Sequence, residues 1–374
     1  MPATELNALV LQGGGALGAY QAGTFSALDE TKLSFSWVAG ISIGAINAAL
    51  ICGNRAEDRI PALEAFWNRI TANVTMSAPF WTSAGRRAFS EVAAAEVTLA
   101  GAPGFFRPRM PTEFWPFGSA PSLSFYDTAP LKATLEELVD FDLLNSGGPR
   151  LCVGATDVET GNFVYFDSRK TRIDARHIMA SGALPPGFPP VEIDGRHYWD
   201  GGLVSNTPLQ YVMEEAEGDQ PLCVFQVDLF NARGGLPTDV IDVQQREKDI
   251  RYSSRTRLTT DRYRDLHALH LAAERLAAKL PDDLRDDPDL AQLRRGTGPS
   301  CPVTLVHLIH RKQGFEGSGK DYEFSRQSMA DHWSAGRNDV ARTLSHTSWG
   351  ARQVGRDGLQ IFDLGTQDTQ GATR

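Results

Sequence analysis

Ser42 stands in the run Val38-Ala39-Gly40-Ile41-Ser42-Ile43-Gly44-Ala45-Ile46-Asn47, a Gly-x-Ser-x-Gly set between an apolar strand and an apolar helix. Glycines two places to either side leave room for a strained strand-to-helix turn that lifts a serine hydroxyl into the open. A helix starting there turns its free N–H groups and positive dipole end toward any oxyanion formed beside the serine. The pattern points to nucleophilic attack on an acyl carbonyl, and such a serine needs a base.

The eight histidines are His177, His197, His267, His270, His307, His310, His332 and His346, and none sits in a Gly-rich or strand-end setting. Asp200 in Trp199-Asp200-Gly201-Gly202 is the better candidate. It follows a strand, and Gly201 and Gly202 allow a sharp turn and close approach of other backbone. An isolated Asp-Gly-Gly is usually only a turn; its weight comes from occurring with the elbow and with a glycine loop nearer the N-terminus.

That loop is Gly13-Gly14-Gly15-Ala16-Leu17-Gly18, between a strand and a helix. Gly13-x-Gly15-x-x-Gly18 matches the dinucleotide fingerprint. A ribose-binding carboxylate at the end of the second strand is missing, because that strand runs into Ala39-Gly40 and the elbow. No Gly-Lys-Ser/Thr follows, so a Walker-type phosphate cradle fails too. What remains is a run of backbone N–H groups without side chains, suited to an oxyanion in acyl transfer. A tight turn with close helix packing would explain one or two glycines more easily than three in a row.

Together these segments resemble the patatin-like phospholipases. The resemblance covers about residues 7–215 and is carried by Gly13–Tyr20, Gly40-Ile41-Ser42-Ile43-Gly44 and Asp200-Gly201-Gly202. Ala180-Ser181-Gly182-Ala183-Leu184-Pro185 and Phe188-Pro189-Pro190 also look like the family's stretch ahead of its Asp-Gly motif. The resemblance implies a Ser–Asp dyad with Ser42 as nucleophile and Asp200 as the base touching it. The amides of Gly13, Gly14, Gly15 and Ile43 are then the oxyanion hole, and Gly40, Gly44, Gly201 and Gly202 shape the elbow and turn. It further implies a three-layer α/β/α fold with a mainly parallel sheet, and hydrolysis of fatty-acyl esters of (phospho)lipids through an acyl-enzyme, with no cofactor. Many members carry a basic residue where this chain has Leu17, so an anion contact made at that place elsewhere is missing here. An acyltransferase, an esterase of short or hydroxyacyl esters, and a silent lipid-binding or regulatory protein remain as alternatives.

The elements that must position these residues follow from local pattern. Asn7–Gln12 and Phe35–Ala39 read as strands, each followed by a glycine turn and a helix, which gives a parallel sheet with helices on its faces. Leu151–Thr156, Phe163–Phe166 and Leu222–Leu229 add strands. Val191–Trp199, with Asp194-Gly195 at its centre, reads as a hairpin with a type I′ turn. Thr207-Pro208-Leu209-Gln210 fits a helix start capped by threonine.

Residues 79–126 differ: ten of the 48 are aromatic, against 9% for the chain, and six are proline. The prolines disfavour long helices there, so an irregular insertion is expected, serving as a lid or binding loop or as a flap that completes the core. A catalytic domain over 1–220 and a strand-plus-helix extension over 221–374, similar to those of bacterial members, are expected. Within the extension Asp239–Leu280 reads as long charged helices, with Arg251, Arg255 and Arg262 on one face that could meet lipid head groups; a solvated face is the better explanation. Pro302–His310 reads as a strand and Ser325–Thr347 as a helix.

The chain has 374 residues, a formal charge of −9 and four scattered cysteines (Cys52, Cys152, Cys223, Cys301). The acidity disfavours nucleic acid as a partner. The cysteine spacing supports buried reduced thiols rather than a disulfide framework or a zinc site. His307 and His310 sit three apart on a strand, which points them to opposite faces, so no metal site is called for. Met1–Leu6 lacks the basic start of a signal peptide, and the longest apolar run, about fifteen residues over Val38–Cys52, falls short of the roughly twenty a bilayer span needs. The expectation is a cytoplasmic protein with at most peripheral contact at the inner membrane surface, acting on a lipid or acyl-ester substrate.

Overall fold

The computed structural model describes residues 5–71, 82–110, 122–216, 220–254, 256–281, 284, 287–296, 301–311, 316–317, 319–355 and 358–364. Its strands are β1 (Leu6–Leu11), β2 (Trp37–Gly40), β3 (Arg107–Pro108), β4 (Tyr126–Asp127), β5 (Arg150–Asp157), β6 (Phe163–Asp167), β7 (Val191–Ile193), β8 (Arg196–Asp200), β9 (Leu222–Asp228), β10 (Val303–Ile309) and β11 (Leu359–Phe362). The helices are α1 (Gly18–Glu30), α2 (Ile43–Cys52), α3 (Arg59–Ile70), α4 (Ser83–Ala100), α5 (Ala129–Leu138), α6 (Phe141–Asn145), α7 (Ala175–Ser181), α8 (Leu209–Glu214), α9 (Val240–Tyr252), α10 (Thr256–Ala277), α11 (Pro288–Gly296), α12 (Arg326–Ser345) and α13 (Thr347–Gly350).

Nine strands form one sheet in the order β11-β10-β9-β1-β2-β5-β8-β7, with β6 also paired to β5. From β11 through β5 every pairing is parallel; β6, β7 and β8 join antiparallel. The two-residue alternation of strand side chains divides the core between the faces. Leu9, Leu11, Val38, Val153, Phe225 and Val227 meet α1, α2 and α12, whereas Ala8, Val10, Ala39, Cys152 and Val224 meet α8 and α10. Burial on both faces explains why the central strands read as unbroken apolar runs rather than alternating ones. The result is a three-layer α/β/α fold with a mainly parallel sheet.

The three strands from beyond residue 220 lie in this same sheet, β9 pairing directly with β1. From β1 the chain first builds outward through β2 and β5, then returns to build outward on the other side through β9, β10 and β11. The β1–β9 boundary is therefore a topological switch point, and a crevice opens beyond the carboxyl ends of strands at such a place.

The hairpin forms as read, with Asp194 at φ 51° and Gly195 at φ 76°, the double positive φ of a type I′ turn. The four cysteines are free and buried. Three local expectations are corrected. An 18-residue helix, α4, occupies much of the proline-rich insertion, because its prolines flank the segment between Thr82 and Gly101 instead of interrupting it. Thr82 caps this helix by accepting a bond from the Gly85 amide at 3.2 Å. Phe80, Trp81, Phe114, Trp115 and Phe117 lie outside the described residues. Thr207 does not cap α8; its hydroxyl accepts from Gln12 Nε2 at 2.9 Å, and the helix begins at Leu209. The charged stretch after Asp239 breaks between Tyr252 and Thr256, so Arg251 and Arg262 sit on separate helices; Arg255 lies outside the described residues. No helix among the described residues is long and apolar enough to cross a membrane.

Candidate active site

Three loops emerge at the carboxyl edge of the sheet. Gly13–Gly15 follows β1, Ser42 follows β2, and Leu229–Phe230 follows β9. Asp200 reaches the same edge by another route. β8 runs antiparallel and meets β5 only along that strand's last residues, Asp200 opposite Ala155, so β8 stops just beyond the level of Gly40.

Ser42 has φ 56° and ψ −122°, a sparsely populated backbone state for a residue with a side chain. Its surroundings hold it there. The Ser42 amide donates to both the carbonyl and the hydroxyl of Ser181, at 3.1 and 3.0 Å, and the Ser181 hydroxyl donates onward to the Gly154 carbonyl at 2.6 Å. A Cβ on Gly44 would lie 2.4 Å from the Leu11 carbonyl oxygen, so only glycine lets α2 start this close to β1. Gly40 closes β2, while Gly201 and Gly202 open the turn after Asp200.

Asp200 is 3% exposed. Burial pushes its carboxyl up to about 6, opposed first by the neighbouring Ser42 side chain and then by a hydrogen bond from the Gly202 amide, 2.7 Å away. The hydroxyl and the carboxyl predicted from separate motifs are thus brought together. A carboxylate with a pKa near 6 is a stronger base than an exposed aspartate, yet largely ionised at neutral pH.

The predicted donors divide. The Gly13 amide is taken by the carbonyl of Asn206 at 3.2 Å. The amides of Gly14, Gly15 and Ile43 have no acceptor among the described residues, and all three residues line the same cavity as Ser42. Gly15, at φ 55°, faces the Asp321 carbonyl, which accepts the Ala16 amide at 3.0 Å. This bond fixes the loop's curvature from outside.

Two positioning residues escaped the motif search. Asn206 Nδ2 donates to the carbonyls of Gly13 and Tyr252, at 3.0 and 2.8 Å. Gln12 Oε1 accepts the amides of Leu229 and Phe230, at 2.7 and 2.9 Å, joining the loops after β1 and β9. A polar residue ending an apolar strand was the available signal for Gln12; Asn206 gave none beyond nearness to Asp200. Of the eight histidines, none lines the cavity that holds Ser42.

That cavity is about 360 Å³. Beyond the polar group its walls are aromatic and aliphatic, including Phe105, Phe106, Phe125, Tyr126, Phe188 and Phe324. The first four come from the aromatic-rich insertion. Leu17 is fully buried in the core, so nothing cationic reaches the cavity from that position. Lys248 of α9 lines the opposite wall, paired with Asp321 at 2.8 Å.

A family model described as patatin-like phospholipase matches residues 9–213. The chain belongs to the patatin-like phospholipase family. A second model, described as patatin phospholipase, matches residues 250–355, so the patatin-like signature extends over β10 and helices α10 to α13 as well. No curated protein matches the chain. Among solved structures it is similar to VipD from Legionella pneumophila, at 14% identity and a TM-score of 0.37, over 88% of this chain and 68% of that one. It is also similar to the heterodimeric ExoU–SpcU complex of the Pseudomonas aeruginosa type III secretion system, at 18% identity and a TM-score of 0.29, over 78% of this chain and 66% of that one. This patatin-like chain therefore spans about two thirds of the length of either.

Proposed function

We propose that the protein is a serine hydrolase of fatty-acyl esters, with lipids or phospholipids as substrates, working through a Ser42–Asp200 dyad. The observation that carries this reading is the closeness of the Ser42 side chain to the buried Asp200 carboxyl, whose pKa it lowers, in an aromatic-walled cavity that both residues line. The acyl chain lies along Phe105, Phe106 and Phe188, which presents the ester carbonyl to Ser42.

In the first step Asp200 takes the hydroxyl proton as Ser42 Oγ bonds to the carbonyl carbon. The carbonyl oxygen gains the negative charge and is received by the amides of Gly14, Gly15 and Ile43. Each such donor contributes about 3 kcal/mol to the transition state. The tetrahedral species collapses with loss of the alcohol, which takes the proton back from Asp200. Water, deprotonated by the same carboxylate, then attacks the acyl-enzyme and releases the fatty acid. A single buried carboxylate serves both steps because its raised pKa lets it accept and return a proton near neutral pH. In this reading residues 1–220 carry the chemistry, and the segment after 220 supplies the far half of the sheet and the Lys248 wall.

The deciding experiment incubates wild type and Ser42→Ala with a mixed phospholipid extract, with and without a primary alcohol, and identifies products by mass spectrometry. Free fatty acid from wild type alone, little changed by the alcohol, is the expected result. Acyl ester formed in preference to free acid would convert the reading to a transferase. Failure of a fluorophosphonate probe to label Ser42, with no product in either arm, would end it.

A further inference from the structure

His310, Glu316 and His332 come from a strand end, a connection and a helix and meet in the interior, outside the Ser42 cavity. His310 follows β10, Glu316 lies in the connection to α12, and His332 is on α12. Their side chains are 1%, 3% and 2% exposed. The Nε2 atoms of both rings face the same oxygen, Glu316 Oε1, at 2.8 Å from His310 and 3.2 Å from His332.

As a plain hydrogen-bonded trio this arrangement is poorly satisfied. Glu316 Oε2 is buried with no partner among the described residues, and so are Nδ1 of His310 and Nδ1 of His332. Each buried polar atom left unpaired forfeits the hydrogen bonds it would make to water, and native interiors keep few of them without an ion, a water or a function.

We propose that His310, Glu316 and His332 form a binding site for one divalent transition-metal ion, zinc being the best chemical match. Two imidazoles and one carboxylate are a ligand set that suits a borderline-soft ion. Their ligand atoms all lie within 4.8 Å of one another, a cluster one ion with bonds of about 2.0–2.2 Å can gather. Calcium and magnesium fit badly, since they require six or more oxygen ligands or retained water. Binding gives Oε2 of Glu316 a cation to face and leaves neither ring needing a proton on Nε2.

The site's place in the fold assigns it a structural role. Glu316 begins the stretch that leads to Asp321, whose carbonyl accepts the Ala16 amide at the glycine loop, and to Tyr322 and Phe324 in the cavity wall. The His310 ring also packs edge-on against Tyr20 of α1, with centroids 5.2 Å apart, and the Tyr20 hydroxyl donates to Asp339 of α12 at 2.6 Å. An ion there ties β10 and α12 to the stretch that supports the candidate oxyanion donors.

The test is metal content of the full chain, a readout independent of any hydrolase activity. Elemental analysis of protein purified without chelator should give about one zinc per chain, a stoichiometry set by one ion at this three-ligand site. Glu316→Gln and a His310→Gln/His332→Gln double variant should lose it. To separate loss of the ion from loss of folding in those variants, wild type is also stripped with a chelator. Its Tm should then fall and be restored by Zn²⁺ but not by Mg²⁺, and added Co²⁺ should give a visible absorption band. Wild type that carries no metal, takes up neither Zn²⁺ nor Co²⁺ stoichiometrically at micromolar concentration and keeps its Tm after chelation would overturn the proposal. Stoichiometric metal retained by the double variant would do so as well.

Discussion

Asn206 and Gly13 grip one another in both directions. The Gly13 amide donates to the Asn206 carbonyl at 3.2 Å, and Asn206 Nδ2 donates back to the Gly13 carbonyl at 3.0 Å. A Cβ on Gly13 would lie 2.4 Å from Asn206 Oδ1, so this pairing needs a glycine at 13. It joins the loop after β1 to the chain just past Asp200, and through the Tyr252 carbonyl to α9.

Asn206→Ala deletes the donor for two carbonyls. A hydrogen bond is worth about 0.5–1.5 kcal/mol net, and more when its loss leaves a partner unpaired. We expect kcat to fall about ten- to a hundredfold, which corresponds to roughly 1.4–2.7 kcal/mol, with little change in KM. Asn206→Asp should do no better, because a carboxylate cannot donate. Steady-state kinetics on both variants checks this; an unaltered kcat in each would remove Asn206 from the positioning role.

Ser42→Ala removes the proposed nucleophile and keeps a Cβ at the strained turn. Activity on a p-nitrophenyl ester should drop by about a thousandfold or more. Because the Ser181 contacts to the Ser42 backbone are untouched, Tm should stay within a few degrees. Matched kinetics and thermal melts test both halves.

Asp200 sets the pH response. As the proposed base it must be ionised, so kcat/KM should rise about tenfold per pH unit below its pKa of about 6 and level off above it. Stability runs the opposite way. The carboxyl is raised from 3.8 in the unfolded reference to about 6 in the fold, so the native state binds the proton more tightly. That contribution is fully present below about 4 and lost as pH rises through about 6. Asp200→Asn should therefore abolish turnover while raising stability at pH 7.5 by up to about 3 kcal/mol. The gain should vanish near pH 4. Urea unfolding at the two pH values supplies the comparison, and an Asp200→Asn variant no more stable at pH 7.5 would contradict the burial argument.

Gly15→Ala attacks the glycine loop from the other side. At φ 55°, with an added Cβ only 2.2 Å from the Asp321 carbonyl oxygen, the site has neither the backbone freedom nor the space for a side chain. We expect a loss of about 1–3 kcal/mol in stability, because backbone rather than a flexible side chain must move. Activity should fall further than stability alone explains, since the Gly15 amide is re-aimed. Gly235→Ala, where an added Cβ meets nothing within 4 Å, is the control and should leave both unchanged.

Much of the site was legible in the sequence because its chemistry sits on local backbone geometry. The elbow at Ser42, the Asp194-Gly195 turn and the glycine loop each depend on which residues tolerate an unusual φ within a few positions. Glycine and small-residue spacing records that directly. The strands flanking them announced themselves as apolar runs, and the parallel order of β1, β2 and β5 followed from alternation with helices.

Tertiary structure alone decided the rest. That β9 inserts beside β1, and so places the glycine loop at a switch point of one nine-stranded sheet, depends on which apolar face packs best, and many pairings of similar strands share the same local pattern. The raised pKa of Asp200 comes from burial by residues remote in sequence, and the diversion of the Gly13 amide to Asn206 from a contact across the fold. The meeting of His310, Glu316 and His332 required a strand end, a connection and a helix to converge. Residue type dictates what a backbone segment can do by itself; which distant groups become neighbours is settled by the collective burial of the core.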